Sequence, residues 1–264
     1  MSKIQTTFLR LKSENKKALI PFVTSGDPHP NMTVKMLHTL VESGADMIEL
    51  GIPFSDPMED GPVIQRASER AIANNVGIKK TIKLVKEFRK KDINTPIILM
   101  GYANPIEAIG IKNFVSLIKD AEVDGVITVD YPPEESKDFV KLLKKQDIDS
   151  IFLLSPTTDD NRIELITEQA TGFLYYVSLK GVTGSANIDI NQVSERVSNI
   201  SKYSDLPIAV GFGVKDAETA KQVALISDAV VIGSRIINEV ENSNQEDLLE
   251  NIRTLMTEIK NAIS

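Results

Sequence analysis

The 264-residue sequence predicts a closed (β/α)8 barrel, and three observations carry that expectation. Eight short runs rich in apolar and β-branched residues recur along the chain, longer amphipathic stretches separate them, and the runs do not alternate apolar with polar. Near-continuous apolar runs mark strands buried on both faces, as in a parallel sheet. Eight such strands, each followed by a helix, argue for a closed barrel.

The strands are predicted at 18–24, 47–52, 96–102, 125–130, 150–155, 172–179, 207–213 and 228–234. Helical periodicity fills the spaces between them. Over 111–121 the apolar positions are Ile111, Phe114, Val115, Leu117 and Ile118, and over 139–146 they are Phe139, Val140, Leu142 and Leu143. Residues 161–170 and 217–224 repeat the pattern. An open doubly wound sheet also accommodates eight strands, but it calls for a glycine-rich dinucleotide turn after the first one, and Ser25-Gly26-Asp27-Pro28 is not such a turn. No linker or shift of composition divides the chain, so one domain over 1–264 is expected, with its active site at the C-terminal ends of the strands.

Composition excludes several chemistries. There is no cysteine, which rules out disulfides, thiolate zinc sites and thiol nucleophiles, and His29 and His38 are the two histidines. No metal site is expected. A formal charge of −7, with the basic residues scattered among acidic ones, carries no nucleic-acid footprint. No run approaches the roughly 18 apolar residues of a membrane helix, and the N-terminal residues lack the apolar stretch of a secretory signal. The expected location is the cytoplasm.

Residues 49–61 hold the strongest chemical signal. Glu49 stands between Ile48 and Leu50 on a strand expected to be buried on both faces, and no lysine or arginine shares that strand. Such a carboxyl either pairs with a base from a neighbouring strand or is desolvated. Desolvation raises its pKa into the range of a general acid/base. The following loop places Pro53 and Pro57 around Ser55-Asp56 and continues Glu59-Asp60-Gly61-Pro62, a rigid turn able to aim acidic groups over the barrel mouth.

A second signal lies at the late strands. Gly211 and Gly213 end the seventh, Gly233-Ser234 ends the eighth at the start of a helix, and Gly181-Val182-Thr183-Gly184-Ser185 follows the sixth. Glycines and a helix N-terminus offer backbone N–H groups to an anion, at the place where such barrels bind phosphate. A small phosphorylated ligand is expected.

The motifs 49–57, Asp60-Gly61-Pro62, Tyr102-Ala103-Asn104-Pro105 and Gly181-Val182-Thr183-Gly184 resemble the tryptophan synthase α-subunit family, and the resemblance covers essentially the whole chain. It implies a lyase of the last stage of tryptophan biosynthesis, which cleaves indole-3-glycerol phosphate reversibly by retro-aldol chemistry into indole and glyceraldehyde 3-phosphate. It makes Glu49 the proton-transfer group, Asp60 the acceptor of the indole N–H, and Tyr175 an active-site hydroxyl. Phe22, Met100, Ile127 and Val129 match an indole pocket, Thr183 a lid residue, and Gly184, Phe212, Gly213, Gly233 and Ser234 the phosphate positions. The resemblance further implies no cofactor in this chain, and an α2β2 assembly with a β subunit that carries pyridoxal phosphate. Two positions depart from the pattern: Glu59 replaces a residue that is small and apolar in many members, and Leu179 replaces an arginine common in the lid.

Rival readings are another phosphate-binding barrel, such as an isomerase or synthase, and a scaffold that has lost catalysis. The first calls for a lysine or histidine at the strand ends, where this chain offers Glu49, Asp130 and Tyr175. Intact Glu49 and Asp60 speak against the second.

Overall fold

In the computed structural model, which describes residues 1–177, 189–211 and 213–264, eight parallel strands close into a barrel in sequence order. They are β1 (Ala18–Thr24), β2 (Ile48–Gly51), β3 (Ile97–Gly101), β4 (Gly125–Thr128), β5 (Asp149–Leu154), β6 (Leu174–Val177), β7 (Ile208–Gly211) and β8 (Ala229–Ile232). The barrel seals where β8 pairs back onto β1, from Ala18 opposite Ala229 to Pro21 opposite Ile232.

Strand positions agree with the sequence expectation, and β1 matches it residue for residue. Most others are shorter by a residue or two at their ends. The clearest overrun is at 228–234, where Gly233 caps and Ser234 opens the helix Ser234–Asn242. Helix Ala217–Ala224 falls where expected, while the predicted 139–146 is found at Lys137–Lys144 and 161–170 at Asp160–Thr167.

Apolar side chains form two main layers. Those pointing outward from the strands meet the surrounding helices in a large shell that includes Leu19, Leu50, Leu99 and Val210. Inward-pointing ones, such as Ile20, Met47, Ile98, Ile127, Ile151 and Val231, fill the barrel itself. Helix Lys3–Ser13 stoppers the lower end. It is started by a Ser2–Gln5 capping box, and Ile4, Phe8 and Leu11, at helical spacing, join the inner cluster. Phe8 meets Phe173 with ring centroids 5.7 Å apart.

At this N-terminal end, aspartates that precede strands are tied to their neighbours. Asp46 accepts from the Leu19 N–H at 2.9 Å and from Lys260 at 2.7 Å. Asp228 accepts from the Ile208 N–H at 2.9 Å. Asp124 accepts from the Ile97 N–H at 2.8 Å and pairs with Arg89 at 2.5 Å and Lys3 at 3.5 Å. The Arg89 guanidinium also donates to the Glu122, Asp92 and Thr95 carbonyls.

Candidate active site

Alternation along β2 turns Met47, Glu49 and Gly51 inward. Glu49 lies opposite Phe22 of β1 and Ile98 of β3. It is 1 % exposed, and its Oε1 has no hydrogen-bond partner among the described residues. Burial, reinforced by the negative charge of Asp60, pushes its carboxyl up to about 8.

The loop after β2 carries Asp60 back toward this strand. Its turns are closed by backbone bonds from Met58 to Asp56 and from Asp60 to Pro57. Gly61 then caps helix Pro62–Ala73 with proline in its first turn, a position suited to a residue without an N–H. Gln65 of that helix donates to the Asp60 carbonyl at 2.8 Å. Tyr102, just beyond β3, ties down the loop from the other side. Its hydroxyl accepts from the Glu59 N–H at 3.2 Å and bonds the Asp60 carboxylate, and its ring lies 5.2 Å from that of Phe54. Burial lifts Asp60 to about 6 against the opposing bond from Tyr102, with Glu59's charge adding to the rise. Glu59 thus acts on the neighbouring carboxylate through its charge.

Tyr175 of β6 is 9 % exposed. Burial first, and then the charge of Glu49, hold its phenol far above the usual range, so it remains a hydroxyl donor. Its hydroxyl packs against Gly211 of β7, where any side chain would collide with it. The field that links Glu49 to both Asp60 and Tyr175 marks the three as neighbours.

An opening beside Asp60 is walled by Phe22, Ile52, Ile64, Met100 and Val129, with Thr24, Ser68 and Tyr102 as polar members. It leaves about 10 Å3 for the centres of water-sized molecules, or about one water. The Phe22 ring closes on Gly51, whose missing side chain makes the approach possible. Of the four residues expected to form an indole pocket, Phe22, Met100 and Val129 meet here. Ile127 lies within the inner barrel cluster and is fully buried. Asp130 accepts from the Ala103 N–H at 2.7 Å, at the start of helix Ala103–Ile109.

Gly233 precedes helix Ser234–Asn242, and among the described residues no side chain caps that terminus. Gly213 has a φ of +84°, in the left-handed region. Thr183, Gly184, Phe212 and the lid sequence around Leu179 lie outside the described residues. Among the described residues no group of three or more His, Cys, Asp or Glu side chains is gathered as a metal ion requires, and no helix is long and apolar enough to cross a membrane.

Two residues of the site escaped the sequence reading. Tyr102 stood out only as part of a motif, and its hold on Asp60 depends on two loops meeting. Thr24 is 1 % exposed, lines the pocket and has a hydroxyl without a partner among the described residues. Its signal was a polar residue closing an otherwise apolar strand.

A parallel barrel with two desolvated carboxylates, of which Asp60 lines an apolar pocket, defines an acid–base enzyme of the (β/α)8 class. The model of the family "Tryptophan synthase alpha chain" matches residues 8–264. Tryptophan synthase alpha chains from Janthinobacterium sp. (strain Marseille) and Nitrosomonas europaea are 56 % and 53 % identical over 263 residues, covering 100 % of this chain and 99 % and 96 % of theirs. The crystal structure of tryptophan synthase subunit alpha from Legionella pneumophila superposes with a TM-score of 0.93 at 43 % identity, over 100 % of this chain and 98 % of that one. The chain belongs to the tryptophan synthase alpha chain family. It is a lyase of tryptophan biosynthesis, and its reaction is the reversible retro-aldol cleavage of indole-3-glycerol phosphate to indole and glyceraldehyde 3-phosphate.

Proposed function

We propose that Glu49 carries the proton in this cleavage, that Asp60 stabilises the charge on the indole ring, and that Tyr175 orients Glu49 or the substrate. The observation that carries the reading is a buried glutamate pushed up to about 8, by burial first and then by the Asp60 charge. Near neutral pH it is predominantly protonated, as the first step requires. Glu49 gives its proton to indole C3, and positive charge develops at the ring nitrogen. The Asp60 carboxylate accepts the N–H hydrogen bond and stabilises that charge. Glu49, now a carboxylate, takes the proton of the glycerol hydroxyl on the carbon attached to C3. The carbon–carbon bond breaks, its electrons return to the ring, and the hydroxyl carbon becomes the aldehyde of glyceraldehyde 3-phosphate. The net transfer is one proton from oxygen to carbon, and Glu49 ends as it began.

Phe22, Met100, Ile127 and Val129 surround the ring in this proposal. The N-terminus of helix Ser234–Asn242 supports a phosphate site at Gly233 and Ser234 through its unpaired N–H groups and dipole, completed by Gly184, Phe212 and Gly213, with Thr183 on the lid. The chain works as one cytoplasmic domain without a cofactor of its own, in an α2β2 heterotetramer whose β subunit holds pyridoxal phosphate.

The test is indole release from indole-3-glycerol phosphate as a function of pH, with and without a β subunit. Asp60 must be ionised, so kcat/KM rises as pH passes about 6. Glu49 must be protonated, so it falls as pH passes about 8. The two limbs belong to the coupled pair. Absence of indole release under either condition rejects the assignment.

A further inference from the structure

Helix Pro62–Ala73, which starts two residues after Asp60, and helix Ser234–Asn242, which starts at the phosphate end, are clamped together by charge. Arg66 and Arg70 stand one turn apart on the first helix, so they share a face. Arg66 holds both oxygens of Glu241 at 2.7 Å. Arg70 reaches the same glutamate at 2.9 Å and grips Asp27 with two bonds of 2.6 and 2.9 Å. The Asp27 side chain is wholly inaccessible to solvent. Bonds from Arg66 foremost hold Glu241 at about 2, so it stays ionised throughout any working pH.

Beneath these ion pairs, Ala67 and Ile237 from the same two helices pack with Phe22, the ring that walls the pocket. The contact is thus apolar at the pocket and ionic at its outer edge. Exposed ion pairs contribute little to stability, and apolar replacements serve a buried site at least as well. What a forked arginine bridging two carboxylates provides is fixed geometry.

We propose that Arg70 is a positioning residue that sets the spacing between the ring-binding and phosphate-binding ends of the site, and so gauges the three-carbon chain that joins them in the substrate. The proposal rests on the reading of Asp60 and of Gly233–Ser234 given above. A substrate covalently joining both ends gains from both contacts only when their separation matches. Indole alone or glyceraldehyde 3-phosphate alone is indifferent to that separation.

The experiment uses the full chain carrying Arg70→Met, Arg70→Lys or Glu241→Gln. Steady-state cleavage of indole-3-glycerol phosphate is compared with the dissociation constants of indole and of glyceraldehyde 3-phosphate measured separately. Arg70→Met is expected to lose at least 30-fold in kcat/KM while both separate ligands bind within threefold of the unsubstituted chain. Arg70→Lys, which keeps the charge without the fork, and Glu241→Gln fall between. If Arg70→Met does not fold, Glu241→Gln, at a partly exposed position, decides by the same pattern. A kcat/KM within threefold of the unsubstituted chain overturns the proposal, as does parallel weakening of all three ligands, the mark of a merely structural role. Failure of glyceraldehyde 3-phosphate to compete with substrate on the unsubstituted chain removes the phosphate reading itself, and the proposal with it.

Discussion

Asp124, at the N-terminal end of the barrel, and Glu49, on β2 toward the opposite end, are both carboxylates hidden from solvent, yet they keep opposite company. Asp124 has Arg89, Lys3 and a backbone N–H around it. Burial raises its pKa, and the Arg89 charge opposes that rise. Glu49 has burial and another acid. Nothing in residue type separates the two. What differs is the supply of cations and N–H groups, so the first carboxylate joins strands and the second is left with a proton to give. Asp46 and Asp228 follow the Asp124 pattern, each accepting from an N–H near the start of the preceding strand, that of Leu19 and of Ile208.

Substitutions at the two ends break this comparison in different ways. The largest effect is expected from Glu49→Gln, which keeps shape but cannot transfer a proton. Cleavage falls by about 10²- to 10⁴-fold, while a non-cleavable substrate analogue binds as before; single-turnover and binding measurements separate the two. Arg89→Met at the other end leaves Asp124 buried with weaker partners. It is expected to cost about 3–5 kcal/mol of stability, read as a lower denaturant midpoint, with kcat unchanged well below the unfolding temperature.

A smaller effect of opposite sign sharpens the contrast. The folded pKa of Glu49 lies above its unfolded value, so its contribution is fully present below about 4.5 and is lost as pH rises toward about 8. Gln mimics the protonated form at every pH. Glu49→Gln is therefore expected to be more stable than the unsubstituted chain by on the order of 2–3 kcal/mol at pH 7. The gain shrinks toward pH 4.5, and denaturant titration at the two pH values checks it.

The barrel and the anomaly on its second strand were legible because their signals are local. An apolar run names a strand, and a glutamate inside one names an anomaly. Element ends were blurred where strand passes directly into helix, as at Gly233-Ser234, which falls in the expected strand range although it also marks the helix start. Tyr102 and the Arg70 clamp could not be read in the same way. Each acquires its role by meeting residues far away in sequence, as Arg70 meets Asp27 and Glu241. Glu59 was equally opaque until its position beside Asp60 gave its charge a target.

The most direct test of the account is the titration of Glu49 itself. In protein labelled with carbon-13 at the glutamate side-chain carboxyls, NMR follows each group through pH. The account predicts one resonance with a midpoint near 8 that is missing from Glu49→Gln. A Glu49 resonance titrating near the ordinary glutamate value of about 4.3 would contradict it.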